Sequence, residues 1–122
     1  MSAGTRKTPR TNATREFFEG LARRGHEPLL EKVTGSLRFD LVRNGRTERW
    51  HLAIDKGDVT VSRKNEPADC VVRVDRSLFE RIAKGEVNAF AAVLRGEAAV
   101  EGDPRLLVLC QRLLPSPPRP GR

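Results

Sequence analysis

The side chains of this 122-residue chain that could carry chemistry are two histidines, two cysteines and the ordinary complement of serines and carboxylates. His26 and His51 could act as a general base or a metal ligand only with a carboxylate, a thiol or a second imidazole at a suitable spacing. The chain shows no zinc-site spacing, P-loop, dinucleotide loop or nucleophile elbow. His26 stands beside a helix stop and His51 falls on the polar side of an alternating stretch, so both read as surface residues. Cys70 and Cys110 sit within apolar patterns, ADCVVRV and LLVLCQRLL. A small buried thiol is the usual occupant of such a place, and two cysteines make no disulfide framework. No local arrangement singles out a serine as a nucleophile. The expectation is a protein that is not an enzyme, with no cofactor and no metal.

Charge offers a second kind of chemistry. The formal net charge is +7, and Arg6, Lys7, Arg10, Arg15, Arg119 and Arg122 account for nearly all of it. The basicity therefore belongs to the ends, MSAGTRKTPRTNATR and PSPPRPGR, whose scarcity of apolar residues leaves little to offset the entropy of ordering them. Residues 1–15 and 116–122 read as flexible tails, either solubilising ends or an electrostatic tether to nucleic acid or anionic lipid. Residues 16–115 form one domain. A specific nucleic-acid surface is not expected, because the chain has no tyrosine and its phenylalanines fall on inward or helical faces. No run approaches the ~18 apolar residues of a membrane span. The N-terminus lacks the apolar centre of a secretory signal, so a cytoplasmic protein is expected.

The elements that position these residues follow from periodicity. Asn12 or Thr14 can cap a first helix that carries Phe17, Phe18 and Leu21 and stops at Gly25. HEPLLEK is then a connector that packs Leu29 and Leu30. From residue 34 the period becomes two: Leu37, Phe39 and Leu41 alternate with polar residues, Asn44-Gly45 signals a hairpin, and Trp50, Leu52 and Ile54 alternate after it. Val59 and Val61 continue a meander, which Cys70, Val72 and Val74 extend as a fourth strand. Asp75 or Ser77 caps a helix with Leu78, Phe79 and Ile82 on one face. A short helix follows with Val87, Phe90, Ala91 and Leu94 at helical spacing, and Gly96 stops it. Ala98 and Val100 point inward from a brief strand, and Asp103-Pro104 opens a closing helix to Leu114. The fold class is α+β: a five-stranded, mainly antiparallel sheet with helices packed on one face.

The helical half is rich in apolar residues for such short elements. They could form a packed core or a core that leaves space for an apolar ligand, and periodicity alone does not separate the two.

KGEVNAFAAVLRGEAAVEGDPRLLVLCQRLLP resembles the C-terminal half of the sterol carrier protein type 2 family. The matching signals are Gly85, the Ala89–Leu94 segment, Gly96, the Gly102-Asp103 pair and Leu113-Leu114-Pro115. Upstream, GSLRFDL, WHLAID, KGDVTV and PADCVVRVD resemble the family's strands, and the likeness runs from Phe17 to Pro115. The resemblance implies a non-catalytic carrier with an apolar tunnel for a sterol, a fatty acid or a fatty acyl-CoA. By position, the tunnel would be lined by Phe39, Trp50, Leu52, Val72, Phe79, Ile82, Phe90, Val93, Leu94, Leu106, Leu109, Cys110 and Leu113. A homodimer and transient membrane contact are compatible with it, and so is an interaction or dimerisation module of the same fold with a filled interior. The chain ends Pro-Gly-Arg rather than in the peroxisomal address of some members, which points to a bacterial cytoplasmic home.

Overall fold

A computed structural model describes residues 12–114, so the expectations for residues 1–11 and 115–122 lie outside the described residues. The first helix, α1 (Ala13–Arg24), starts inside the segment grouped with the basic tail and is capped by the Asn12 side chain, which accepts from the Arg15 N–H. Thr14 is buried.

β1 (Thr34–Arg43) and β2 (Arg46–Asp55) pair antiparallel across Asn44-Gly45. Both turn residues have left-handed φ values, 51° and 76°, which asparagine tolerates and glycine adopts freely. β3 (Asp58–Ser62) pairs antiparallel with β2. The alternating residues behave as expected: Leu37, Phe39, Leu41, Trp50, Leu52, Ile54 and Val59 are all buried on one face.

β4 (Cys70–Asp75) corrects the four-strand meander. It crosses over to lie parallel to β1, with Leu37 opposite Cys70 and Phe39 opposite Val72. β5 (Ala98–Gly102) pairs antiparallel with β4, which gives the order β3-β2-β1-β4-β5. The loop before β4 explains the placement. The Ser36 N–H donates to Asp69 Oδ2 at 3.0 Å, the Asp69 N–H donates to Ser36 Oγ at 3.0 Å, and Arg38 donates to the Glu66 carbonyl. These bonds fasten the loop to β1 rather than to the edge at β3.

The same loop corrects the reading of His51. Its ring lies 3.3 Å from the Pro67 carbonyl oxygen, and the residue is buried. Beside it on the outer face Asp40 is also buried, with Arg38 bound to it through two hydrogen bonds of 2.8 and 3.0 Å.

The helices cover the inner face. α2 (Arg76–Ala83) is capped by Asp75, α3 (Ala89–Leu94) by Asn88, and α4 (Pro104–Gln111) by Asp103 with Pro104 opening its first turn. A single 3-10 turn, Pro28–Leu30, buries Leu30 but leaves Leu29 outside, in contrast to the expected packing of both. Gly102 serves close approach: a Cβ there would collide with the Asp69 backbone carbonyl. Among the described residues no helix is long and apolar enough to cross a membrane.

Candidate functional site

The inner face of the sheet divides into two parts. Under α1 and α2 the space is filled by rings. Phe18 stacks on Trp50 at 4.6 Å and on Phe79 at 5.6 Å, tilts against Phe39 at 5.4 Å, and meets Phe17 edge-on at 5.1 Å. Glu80 ties the two helices together by accepting from the N–H groups of Ala13 and Thr14 and from the Thr14 hydroxyl, at 2.7 to 3.0 Å. Burial alone would raise its carboxyl pKa. The hydrogen bonds and the charge of Arg76 outweigh burial and hold it below the usual range.

Under α2, α3 and α4 the filling is mainly of aliphatic and small residues, with two of the rings at its border, around a small cavity. Phe39 from β1, Val72 and Val74 from β4 and Ala98 from β5 form its floor. Phe79 and Ile82 from α2, Ala89 and Val93 from α3, Leu107 from α4 and Leu114 beyond it close the roof. The void is about 10 Å³, close to the ~10–15 Å³ that admits one water. Its walls offer no side-chain proton donor, acceptor or metal ligand, so they can shelter apolar groups and do no acid–base chemistry.

Five of the thirteen residues expected to line a tunnel meet here: Phe39, Val72, Phe79, Ile82 and Val93. Trp50 and Leu52 lie buried in β2, Trp50 against Phe18. Leu106 and Cys110 are buried under α4, Leu106 beside Gly35, while Leu109 and Leu113 are half-buried. Phe90 and Leu94 point outward, 42% and 74% exposed, together with Val108 on α4. This reverses the expected face of α3: Ala89 and Ala92 are buried instead, because small side chains let the helix approach its neighbours closely. Val74, Ala89, Ala98, Leu107 and Leu114 were missed. Val74 shares the alternation of Val72, and Leu107 and Leu114 share the stripe of Cys110, so those three carried a readable signal. Ala98 was read as inward-facing from its strand, and Ala89 carried no signal.

The roof is lightly fastened. The Phe90 N–H at the start of α3 donates to Gln111 Oε1 at the end of α4, at 3.1 Å on the exposed side. Below it both thiols are buried, which disfavours their thiolate forms. Burial, with a smaller contribution from Cys70, pushes Cys110 up to about 12, and burial followed by the charge of Asp103 raises Cys70. His26 is exposed as expected, and joins the end of α1 to β3 through Nδ1, 2.8 Å from Asp58 Oδ1. Among the described residues no group of three or more His, Cys, Asp or Glu side chains could hold a metal ion.

Three solved structures show how widely this arrangement recurs. The sterol carrier protein domain 2 of Helicoverpa armigera is 21% identical with a TM-score of 0.67, over 86% of this chain and 87% of that one. The palmitated SCP2L2 of Aedes aegypti is 15% identical with a TM-score of 0.61, over 83% and 89%. The inverting sec-alkylsulfatase Pisa1 from Pseudomonas sp. contains a similar unit: 82% of this chain aligns with 16% of that one at 22% identity and a TM-score of 0.65. No curated protein sequence matches the chain. These likenesses establish the fold, a five-stranded mixed sheet with helices on one face. The model of the SCP-2 sterol transfer family matches residues 17–115, the span over which the strand, glycine and cap signals run, and the chain therefore belongs to that family.

Proposed function

We propose that the protein is a non-catalytic cytoplasmic lipid-binding module that takes the apolar chain of a sterol, a fatty acid or a fatty acyl-CoA between the sheet and the α3–α4 roof. The carrying observation is the small void with apolar walls beneath two short helices. Each methylene moved from water into such a place contributes about 0.8 kcal/mol, so a long chain binds without a specific polar contact. Ligand pockets usually measure roughly 300–1,000 Å³, far above the void of about 10 Å³. Uptake therefore requires α3 and α4 to move off the sheet, and the measured affinity is the intrinsic one reduced by the open fraction. Phe90, Leu94 and Val108 on the outside of that roof fit transient contact with a membrane from which a lipid is drawn.

The test is organic extraction of the purified protein with mass spectrometry, joined to displacement of a bound fluorescent fatty acid by palmitate. Saturable one-site displacement is expected, and Val93→Glu, which places a charge on the cavity wall, abolishes it. Absence of both an extractable lipid and displacement would reject the reading. The near-absence of internal space favours a second reading, an interaction or dimerisation module of the same fold. Sedimentation decides it: a stable ligand-free dimer with no lipid uptake supports the second reading over the first.

A further inference from the structure

The alternation that buries Leu37, Phe39 and Leu41 continues to Arg43, and the one that buries Trp50 runs back through Glu48 to Arg46. These polar residues emerge on the inner face of the sheet, at the hairpin end that the helices leave open. Arg63, just past β3, and Arg76, the first residue of α2, complete the walls of a groove of about 630 Å³. Four arginines face one acid, Glu48. The groove shares no lining residue with the apolar cavity.

The arginines fall into two kinds. Arg63 and Arg76 are held. The Arg63 guanidinium lies 4.1 Å over the Trp50 ring and its Nε donates to the Arg49 carbonyl, while Arg76 Nε donates to Glu48 Oε1 at 2.8 Å. Glu48 also accepts from Trp50 Nε1 at 2.8 Å, so the single acid is committed to holding the walls. Arg43 and Arg46 are not held in this way. They stand directly opposite each other in the β1–β2 ladder, a placement that costs stability for like charges. Neither is ion-paired among the described residues, and the chain outside them carries no Asp or Glu. Asp75, whose carboxylate feels the Arg43 charge, is committed to capping α2.

We propose that this groove binds a phosphate-bearing anion with two or more negative charges, of diphosphate size, between the held pair and the opposed pair of arginines. Planar guanidinium forks match phosphate oxygens two at a time, and a multivalent anion relieves the Arg43–Arg46 repulsion that the fold otherwise carries. The remaining volume accepts an organic portion. The phosphate could come from a soluble ligand or from a lipid headgroup, and the proposal holds whether or not the apolar cavity takes a lipid.

The test is titration of the full chain with sodium pyrophosphate at low ionic strength, followed by amide NMR shifts. Saturable binding is expected, with shifts gathered at residues 43–48, 63 and 76. Arg43→Gln/Arg46→Gln should bind at least tenfold more weakly and Arg46→Gln alone less so, both with otherwise native spectra. A control pair on α1 and α2, Arg23→Gln/Arg81→Gln, should stay within about twofold of the unaltered chain. Absence of saturable binding, or equal losses in the groove pair and the control pair, overturns the proposal. Flotation with phosphatidylcholine vesicles containing phosphatidic acid then identifies the source. Flotation that pyrophosphate reverses and Arg43→Gln/Arg46→Gln abolishes assigns a headgroup; flotation that neither changes, or no flotation, assigns a soluble phosphate.

Discussion

The aromatic half of the core and the alanine half cover the same sheet but are built to different ends. Beneath α1 and α2, Phe18 has no exposed surface and touches rings on several sides, and Glu80 joins the two helices through hydrogen bonds that favour its ionised form. Beneath α3 and α4 the contacts are made by Ala89, Ala92, Ala98 and aliphatic side chains together with Phe39 and Phe79, rings that both halves share, with a void left between them. Interlocked rings resist displacement, because any shift opens space that nothing nearby can fill. The short α3, seated on alanines, gives up little when it moves. On the proposed function, one half is the fixed frame and the other the cover that lifts.

The largest expected effect tests the frame. Phe18→Ala should cost about 3–5 kcal/mol in urea unfolding, the range for a buried ring truncated where its neighbours cannot collapse. Leu107→Ala, on the cavity, should cost nearer ~2 kcal/mol, because the α3–α4 cover can settle into the space. It should also tighten fatty acid binding by enlarging the void. Equal costs for the two, with no gain in binding, would erase the distinction between frame and cover. Glu80→Gln should cost about 1 kcal/mol at neutral pH. The Glu80 carboxyl has a folded pKa below its unfolded one, so its contribution is present above the unfolded value and lost as pH falls through the folded value. The variant should therefore lose less stability than the parent on acidification. The smallest effect concerns His26, whose pKa is raised by its hydrogen bonds to Asp58 and Glu31. Its contribution is full below the unfolded pKa and lost as pH rises through the folded one, so Tm should fall slightly across that window and His26→Ala should flatten the change.

Much of the frame was legible in the sequence, because period-two alternation, Asn44-Gly45 and the caps at Asn12, Asp75 and Asp103 are local signals with local causes. The position of β4 was not. Alternation says which face a strand presents and nothing about its neighbour, and the deciding contacts join Ser36 to Asp69, far apart in the chain. His51 was misread for a related reason: its parity places it on the outer face, and the Pro67 loop covers that face there. α3 misled because alanine and phenylalanine both count as apolar, and the choice between the two faces turned on size. The arginine groove went unseen because it depends on register, which brings Arg43 opposite Arg46, and on a residue beyond each of two further elements.

The parallel pairing of β1 with β4 also bears on how the chain folds. The β1–β2–β3 unit closes through neighbouring turns, whereas the central pair forms only when a segment past the whole hairpin and its loop returns. Until then β1, whose inward residues are among the most buried in the finished protein, presents an unpaired edge with one greasy face. During synthesis that edge stays unpaired until Cys70–Asp75 leave the ribosome, and an unpaired apolar strand is an edge at which partly made chains can stick to one another.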